Sequence, residues 1–175
     1  MLYKFIFQSI LGWNIEGNIP PEIKKCIITA APHTSWHDFF LGAYIRSAIG
    51  VEINYVAKKE LFKWPFGAYF RWMGGAPIDR SKKGKTVEQT VRLFEEKKIF
   101  RLAIAPEGTR QKVDTWKTGF YHIAHQAKVP IVRMALDYKN RTVKIAPPFY
   151  TTGDIEKDML GIRSFYKGIK GKKDK

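Results

Sequence analysis

The sequence predicts an α/β fold, a central and largely parallel sheet flanked by helices. Three observations carry that expectation. Short apolar runs alternate with segments of helical periodicity along most of the chain. Apolar residues make up 45% and aromatics 14% of 175 residues, enough for one domain with a real core and too few for two comfortable ones. The two motifs richest in chemistry each follow a predicted strand, where ligands collect in open α/β sheets.

The elements follow in order. Residues 1–13 (MLYKFIFQSILGW) read as an amphipathic helix, with Tyr3, Ile6, Phe7, Ile10 and Leu11 on one face. Such a helix would be about 20 Å long, short of the roughly 30 Å hydrocarbon core. It suits an interfacial position on a membrane, or packing on the domain. No small-residue cleavage site follows it promptly, which argues against a signal peptide. Residues 25–31 read as a buried strand. Residues 36–49 read as a helix opened by Thr34 or Ser35 as caps. Residues 53–57 read as a strand, and 64–73 as a second helix with Pro65 in its first turn. The clearest helix is 85–98, where Val87, Val91 and Phe94 share a face and the other face is charged. A strand over 101–105, a helix over 119–127 and a strand over 131–136 follow, with 142–145 pairing beside the last. The final nine residues carry Lys167, Lys170, Lys172, Lys173 and Lys175 with two glycines, a composition that predicts a flexible basic tail. The predicted organisation is therefore an N-terminal interfacial helix (1–16), one folded domain (17–166) and the tail (167–175).

The formal net charge of +15 draws the chain to polyanions: anionic lipid, an acidic carrier protein, coenzyme phosphates or nucleic acid. No recognised nucleic-acid motif is present, which weighs against the last. One cysteine, Cys26, excludes an intramolecular disulfide and reads as a small core residue. His122 and His125 lie three apart on one helix, but no Cys, Asp or Glu set accompanies them, so no metal site is expected.

The first motif is Pro32-His33-Thr34-Ser35-Trp36-His37-Asp38. His33 and Asp38 can meet only if the chain turns into the helix between them, because a regular helix aligns i,i+3 and i,i+4. A carboxylate on one imidazole nitrogen fixes the tautomer and frees the other nitrogen to accept a proton. By spacing alone a structural ion pair is the default explanation of the two residues. The second motif is Pro106-Glu107-Gly108-Thr109-Arg110. Gly108 allows a close backbone approach, Arg110 can grip a phosphate at two points, and Glu107 can accept from a hydroxyl or hold Arg110. Between the motifs, Lys58 and Arg80 would add positive charge to a site for a phosphorylated acceptor. Gly84-Lys85-Thr86 imitates the end of a P-loop, but Asp79 stands where its first glycine belongs. No Gly-x-Ser-x-Gly elbow occurs.

Together these residues resemble the glycerolipid acyltransferase family typified by bacterial 1-acyl-sn-glycerol-3-phosphate acyltransferase. His33 and Asp38 match its His-x4-Asp motif. Gly67 through Arg80, with Lys58 and Leu61 upstream, corresponds to its second block. Pro106–Arg110 matches its third, and Val129-Pro130-Ile131-Val132 its fourth. The resemblance implies a glycerol-3-phosphate acyltransferase-like α/β fold over 17–166. It implies transfer of an acyl chain from a thioester, on coenzyme A or acyl carrier protein, to a lyso-lipid hydroxyl in phospholipid biosynthesis. His33 would be the base and Asp38 its orienting partner. Lys58, Gly67, Arg80, Glu107, Gly108, Thr109 and Arg110 would bind substrate, and Val129–Val132 would shape an apolar wall. No metal and no resident cofactor is implied; the thioester is a co-substrate. Peripheral attachment to the cytoplasmic face of an anionic membrane is expected. The chain departs from the family at Pro32 (often Asn), Ala105 (often Phe) and Arg133 (commonly Pro), and Arg133 points to another head group. The other readings are an acyltransferase on a non-phosphoglycerol lyso-lipid, a thioesterase, and a non-catalytic basic lipid- or nucleic-acid-binding protein.

Overall fold

The structure, a computed structural model, describes residues 7, 9, 11–79, 85–111 and 113–173. Arg80, most of the predicted N-terminal helix (1–6, 8 and 10) and Lys175 of the tail lie outside the described residues.

The chain forms β1 (Asn14–Glu16), β2 (Lys25–Ala31), α1 (His37–Ile49), β3 (Tyr55–Lys58), a 3₁₀ turn (Lys59–Phe62), α2 (Gly67–Trp72), β4 (Gly75–Ile78), α3 (Thr86–Glu96), β5 (Phe100–Ile104), α4 (Gly119–Gln126), β6 (Ile131–Asp137), β7 (Thr142–Ile145) and α5 (Ile155–Ser164). The main sheet has the order β1-β7-β6-β2-β5. Every pair in it is parallel except β6–β7. A second sheet pairs β3 with β4 in parallel, and a bridge from Asn54 to Leu102 ties it to β5. The expected α/β class is therefore observed.

Strand β2 is mostly apolar because both of its faces are covered. Ile28 enters a cluster with Trp13, Leu41, Ile45, Val132 and Met134 on the α1 side. Ile27 enters one with Phe94, Phe100, Leu102, Phe120 and Ile162 on the α3, α4 and α5 side. Val87, Val91 and Phe94 share the inward face of α3 as their spacing predicts. Cys26 is fully buried, and burial pushes its thiol up to about 12.

Two expectations change, and one strand appears where the sequence reading assigned no element. The boundary at residue 16 falls inside the domain: Asn14–Glu16 extends the sheet beside β7, and Phe7 and Trp13 sit in the core. The segment from Gly75 to Ile78 is a strand, although its glycine and proline disfavour one; it lies at a sheet edge where such residues are tolerated. The basic tail is docked through Lys173. Tyr138 N donates to Lys170 O at 3.0 Å, Lys173 N donates to Thr34 Oγ1 at 3.3 Å, and Gly171 is buried.

Candidate active site

Strand β2 carries the first motif to the carboxyl edge of the sheet, where residues 32–36 turn into α1. His33 Nδ1 lies 3.0 Å from Asp38 Oδ2. The amides of Thr34 and Ser35 donate to the same oxygen at 3.0 and 2.9 Å. The capping therefore runs opposite to expectation. Trp36 stands at the N-cap without a side-chain bond, and Asp38 reaches back from the first turn. A carboxylate is a stronger acceptor than a hydroxyl and is favoured at the positive end of a helix.

Asp38 is 6% exposed. Burial alone would raise its carboxyl. Hydrogen bonds from His33, Tyr138 and the Ser35 amide, with the imidazole's charge, hold it below its ordinary value. It stays ionised and holds the Nδ1 proton of His33 inward, an arrangement that leaves Nε2 able to accept a proton. The Tyr138 hydroxyl donates to Asp38 Oδ1 at 2.5 Å. Burial first, then the bond to Asp38 and its charge, push the phenol well up, so it remains a donor. His37 does not compete as the base: its Nδ1 is 2.9 Å from Ser35 Oγ and its ring lies against Trp36.

Strand β5 delivers the second motif beside the first. Glu107 Oε2 and Oε1 accept the His33 backbone amide at 3.1 and 3.2 Å. Burial raises the Glu107 carboxyl above its ordinary value, opposed by the His33 amide and imidazole and reinforced by Asp38. The ion pairs among the described residues are His33–Asp38 and Lys59–Asp79, so Glu107 and Arg110 do not form a closed turn of their own. Gly108 is left-handed (φ 66°), and a Cβ there would lie 2.7–2.9 Å from Cδ, Cε and Nζ of Lys117. Thr109 Oγ1 accepts from Gln111 N at 3.3 Å and shapes the loop.

His33, Asp38 and Arg110 open onto one cleft of about 780 Å³. Its walls are mostly apolar, from Phe39, Phe40 and Tyr44 on α1, Tyr55 on β3, Trp72 on α2, and Met134 and Leu136 on β6. A smaller cavity of about 310 Å³ near Asn54 and Leu93 is lined by Arg71 and Gly74–Pro77 of the second block and by no residue of the Pro32–Asp38 or Pro106–Arg110 motifs.

The remaining predicted positions divide. Lys58 ends β3 with its side chain exposed. Gly67 is buried at the start of α2, where a Cβ would lie 2.1 Å from the Phe62 carbonyl oxygen; its geometry is that of close packing. Arg133 projects away from the cleft, stacked between Phe149 and Phe165 at 5.6 and 5.3 Å, while Met134 takes the cleft side. Its departure from the family pattern is thus a packing feature. His125 bonds Thr151 and stacks on Tyr121 rather than joining His122.

A family model described as acyltransferase matches residues 13–137, most of the chain and all of the motifs. The chain belongs to the acyltransferase family. It is 34% identical over 151 residues to 1-acyl-sn-glycerol-3-phosphate acyltransferase of Bacillus subtilis, covering 77% of this chain and 70% of that protein. It is 37% identical over 145 residues to the enzyme of the same name from Cocos nucifera, covering 77% of this chain and 46% of that protein. A lyso-ornithine lipid O-acyltransferase of Brucella abortus is 29% identical over 106 residues, 58% of this chain and 38% of that protein. The chain thus spans about half the length of its plant relative. No solved structure matches it. Membership in the acyltransferase family bears out the resemblance read from the motifs and the expectation of an acyltransferase.

Two residues of this acyltransferase domain escaped the sequence reading. Tyr138 is 100 positions from Asp38, and no local pattern links them. Lys117 crosses the Gly108 turn, with its amide donating to Pro106 O at 2.8 Å. A lysine just before the helix at Gly119 is a weak signal by itself. Among the described residues, no helix is long and apolar enough to cross a membrane.

Proposed function

We propose that this chain transfers a fatty acyl group from a thioester donor to the hydroxyl of a lysophospholipid such as 1-acyl-sn-glycerol-3-phosphate. One observation carries the reading: a His33–Asp38 pair, 3.0 Å apart, stands at the mouth of an apolar cleft that also takes Arg110. The cleft suits an acyl chain, and Arg110, with Lys117 nearby, suits a phosphate.

In the proposed reaction His33 Nε2 takes the proton of the acceptor hydroxyl as that oxygen attacks the thioester carbonyl. The tetrahedral intermediate collapses with breakage of the carbon–sulfur bond. The departing thiolate takes the proton back from Nε2, leaving an ester, a free thiol and a neutral imidazole. Asp38 holds the tautomer and offsets the charge on the imidazolium. Glu107 fixes the backbone of His33. Acyl-coenzyme A or acyl carrier protein serves as co-substrate, without a resident cofactor, and the work takes place at the cytoplasmic face of a membrane.

The test is a thiol-release screen pairing both donors with a panel of lyso-lipids, with products identified by mass. Acceptor-dependent thiol release and an ester product, both lost in a folded His33→Ala variant, are expected. Full activity in that variant would overturn the mechanism. Thiol release without an acceptor would make it a thioesterase. Preference for a lyso-ornithine lipid, as the name of the Brucella relative suggests, would move the acceptor away from phosphoglycerol.

A further inference from the structure

Large apolar side chains are unevenly exposed on this molecule. Among the described residues thirteen are exposed, and nine of them fall between residues 36 and 72. Trp64 is 93% exposed and Trp72 74%. Water does not favour such a concentration, and patches of this kind mark contact surfaces.

The exposed residues are arranged around the cleft. Phe39, Phe40 and Tyr44 line it from α1 and Trp72 lines it from α2. The two sides form one surface. The Phe39 and Tyr55 rings meet edge to face at 5.9 Å, and Tyr55 Oη donates to Phe70 O at 3.3 Å. Arg46 Nη1 donates to Met73 O at 3.0 Å, and the Tyr69 ring lies 6.2 Å from Trp72. Exposed bases interleave with the aromatics on the α2 side as Lys63-Trp64 and Arg71-Trp72.

We propose that this α1–α2 face seats on an anionic lipid bilayer, with Trp64, Tyr69 and Trp72 at headgroup depth and the cleft mouth opening onto the lipid. Tryptophan and tyrosine favour that depth because one end of each ring system is apolar and the other can stay wet. Lysine and arginine beside them reach anionic headgroups. Charge separates the bilayer from a second copy of the chain. Two molecules each carrying +15 repel, whereas an anionic surface attracts. A second copy would also close the cleft that the lipid must enter. The residues of this face are other than residues 1–13, which the sequence nominated for membrane contact. Its link to catalysis rests on the acyl-transfer reading; the contact with lipid does not.

The experiment measures co-sedimentation of the full chain with phosphatidylcholine vesicles, with and without 30 mol% phosphatidylglycerol, in roughly 0.1 M salt. The variant is Trp64→Ser with Tyr69→Ser, two exposed residues outside the cleft lining. The intact chain should bind the anionic vesicles, and the variant should bind at least about tenfold more weakly at unchanged melting temperature. Turnover of a water-soluble short-chain acceptor should be equal in the two proteins, while turnover of vesicle-borne acceptor falls in the variant. Failure of the intact chain to bind anionic vesicles, or equal binding by the variant, would overturn the proposal. So would a concentration-dependent dimer that the variant abolishes. If vesicle binding depends on this face but no acceptor is ever acylated, the docking surface stands and the acyl-transfer reading fails.

Discussion

Asp38 permits the sharpest test, because its two oxygens are loaded unequally. Oδ2 accepts from His33 Nδ1 at 3.0 Å, Thr34 N at 3.0 Å and Ser35 N at 2.9 Å, while among the described residues Oδ1 accepts from Tyr138 alone. In Asp38→Asn the remaining oxygen must therefore face the three donors. The new NH₂ faces Tyr138, whose hydroxyl can turn and accept. Hydrogen bonding and the His33 tautomer survive, and what disappears is the negative charge. The expected stability loss is about 1 kcal/mol, the difference between a charged and a neutral acceptor. The expected rate loss is about 10²-fold, the low end of general-base contributions. Asp38→Ala differs. It strands two amides, at residues that are 7% and 1% exposed, together with the Tyr138 hydroxyl. At about 1 kcal/mol or more for each unmet donor the loss is about 3 kcal/mol, or roughly 6–12 °C in Tm for a domain of this size. Thermal unfolding and steady-state thiol release on both variants, with His33→Ala as the floor, read these numbers. An Asn variant as inactive as His33→Ala would show that the tautomer is not held by the Thr34 and Ser35 amides. An Asn variant as fast as the parent, with chemistry rate-limiting, would remove the charge from the mechanism. An Ala variant with unchanged Tm would refute the hydrogen-bond reasoning.

Tyr138→Phe removes one donor from Asp38 and should lower kcat about three- to tenfold with little change in KM; without that donor the folded-state Asp38 value rises, so the acid limb of stability should move to higher pH. An unmoved limb would deny Tyr138 a part in holding the carboxylate. Gly108→Ala places a Cβ within 2.9 Å of Lys117 in a left-handed residue and should cost about 1–2 kcal/mol by thermal melt, with KM for a phosphorylated acceptor raised. Unchanged Tm and KM would mean that the turn rearranges freely. Cys26, fully buried with its thiol pushed up to about 12, should resist iodoacetamide at pH 8 until the chain unfolds; mass spectrometry of the native protein showing rapid labelling would contradict the core packing.

Much of the fold was readable because it rests on local or periodic signals. The run KCIITAA declares a strand covered on both sides, and it forms β2 over those same seven residues. The 3.6-residue spacing of Val87, Val91 and Phe94 declares α3. What could not be read depends on partners distant in sequence. β4 contains Gly75 and Pro77, and it is a strand because Tyr55–Lys58 lies alongside. The tail looks mobile in isolation, and it is docked as far as Lys173 because Tyr138 and Thr34 supply partners for its backbone. The site divides in the same way. His33, Asp38, Glu107 and Arg110 were found by motif, whereas Tyr138 and the cleft required three-dimensional structure. The direction of the cap was misjudged because hydroxyl side chains at Thr34 and Ser35 look like caps, while the stronger acceptor lies three and four residues on.

The two carboxylates of the site are tuned in opposite directions, and that separates their roles. Asp38 lies below its ordinary value, so it adds stability at neutral pH that is lost as pH falls through its folded-state value. Glu107 lies above its ordinary value, so its ionised form costs stability at neutral pH, and that cost is relieved as pH falls through its raised value. A residue that weakens the fold where the protein works is a candidate for function, since stability does not explain its presence. Glu107→Gln keeps an oxygen for the His33 amide and removes the half-buried charge. The variant should melt higher than the parent at pH 7–8, with the gain fading as pH falls through the Glu107 titration, and its turnover should drop. If the variant instead melts lower at neutral pH, the negative charge is stabilising the turn between His33 and the Pro106–Arg110 loop. Glu107 would then be structural, and the acceptor would have to be held by Arg110 and its neighbours without it.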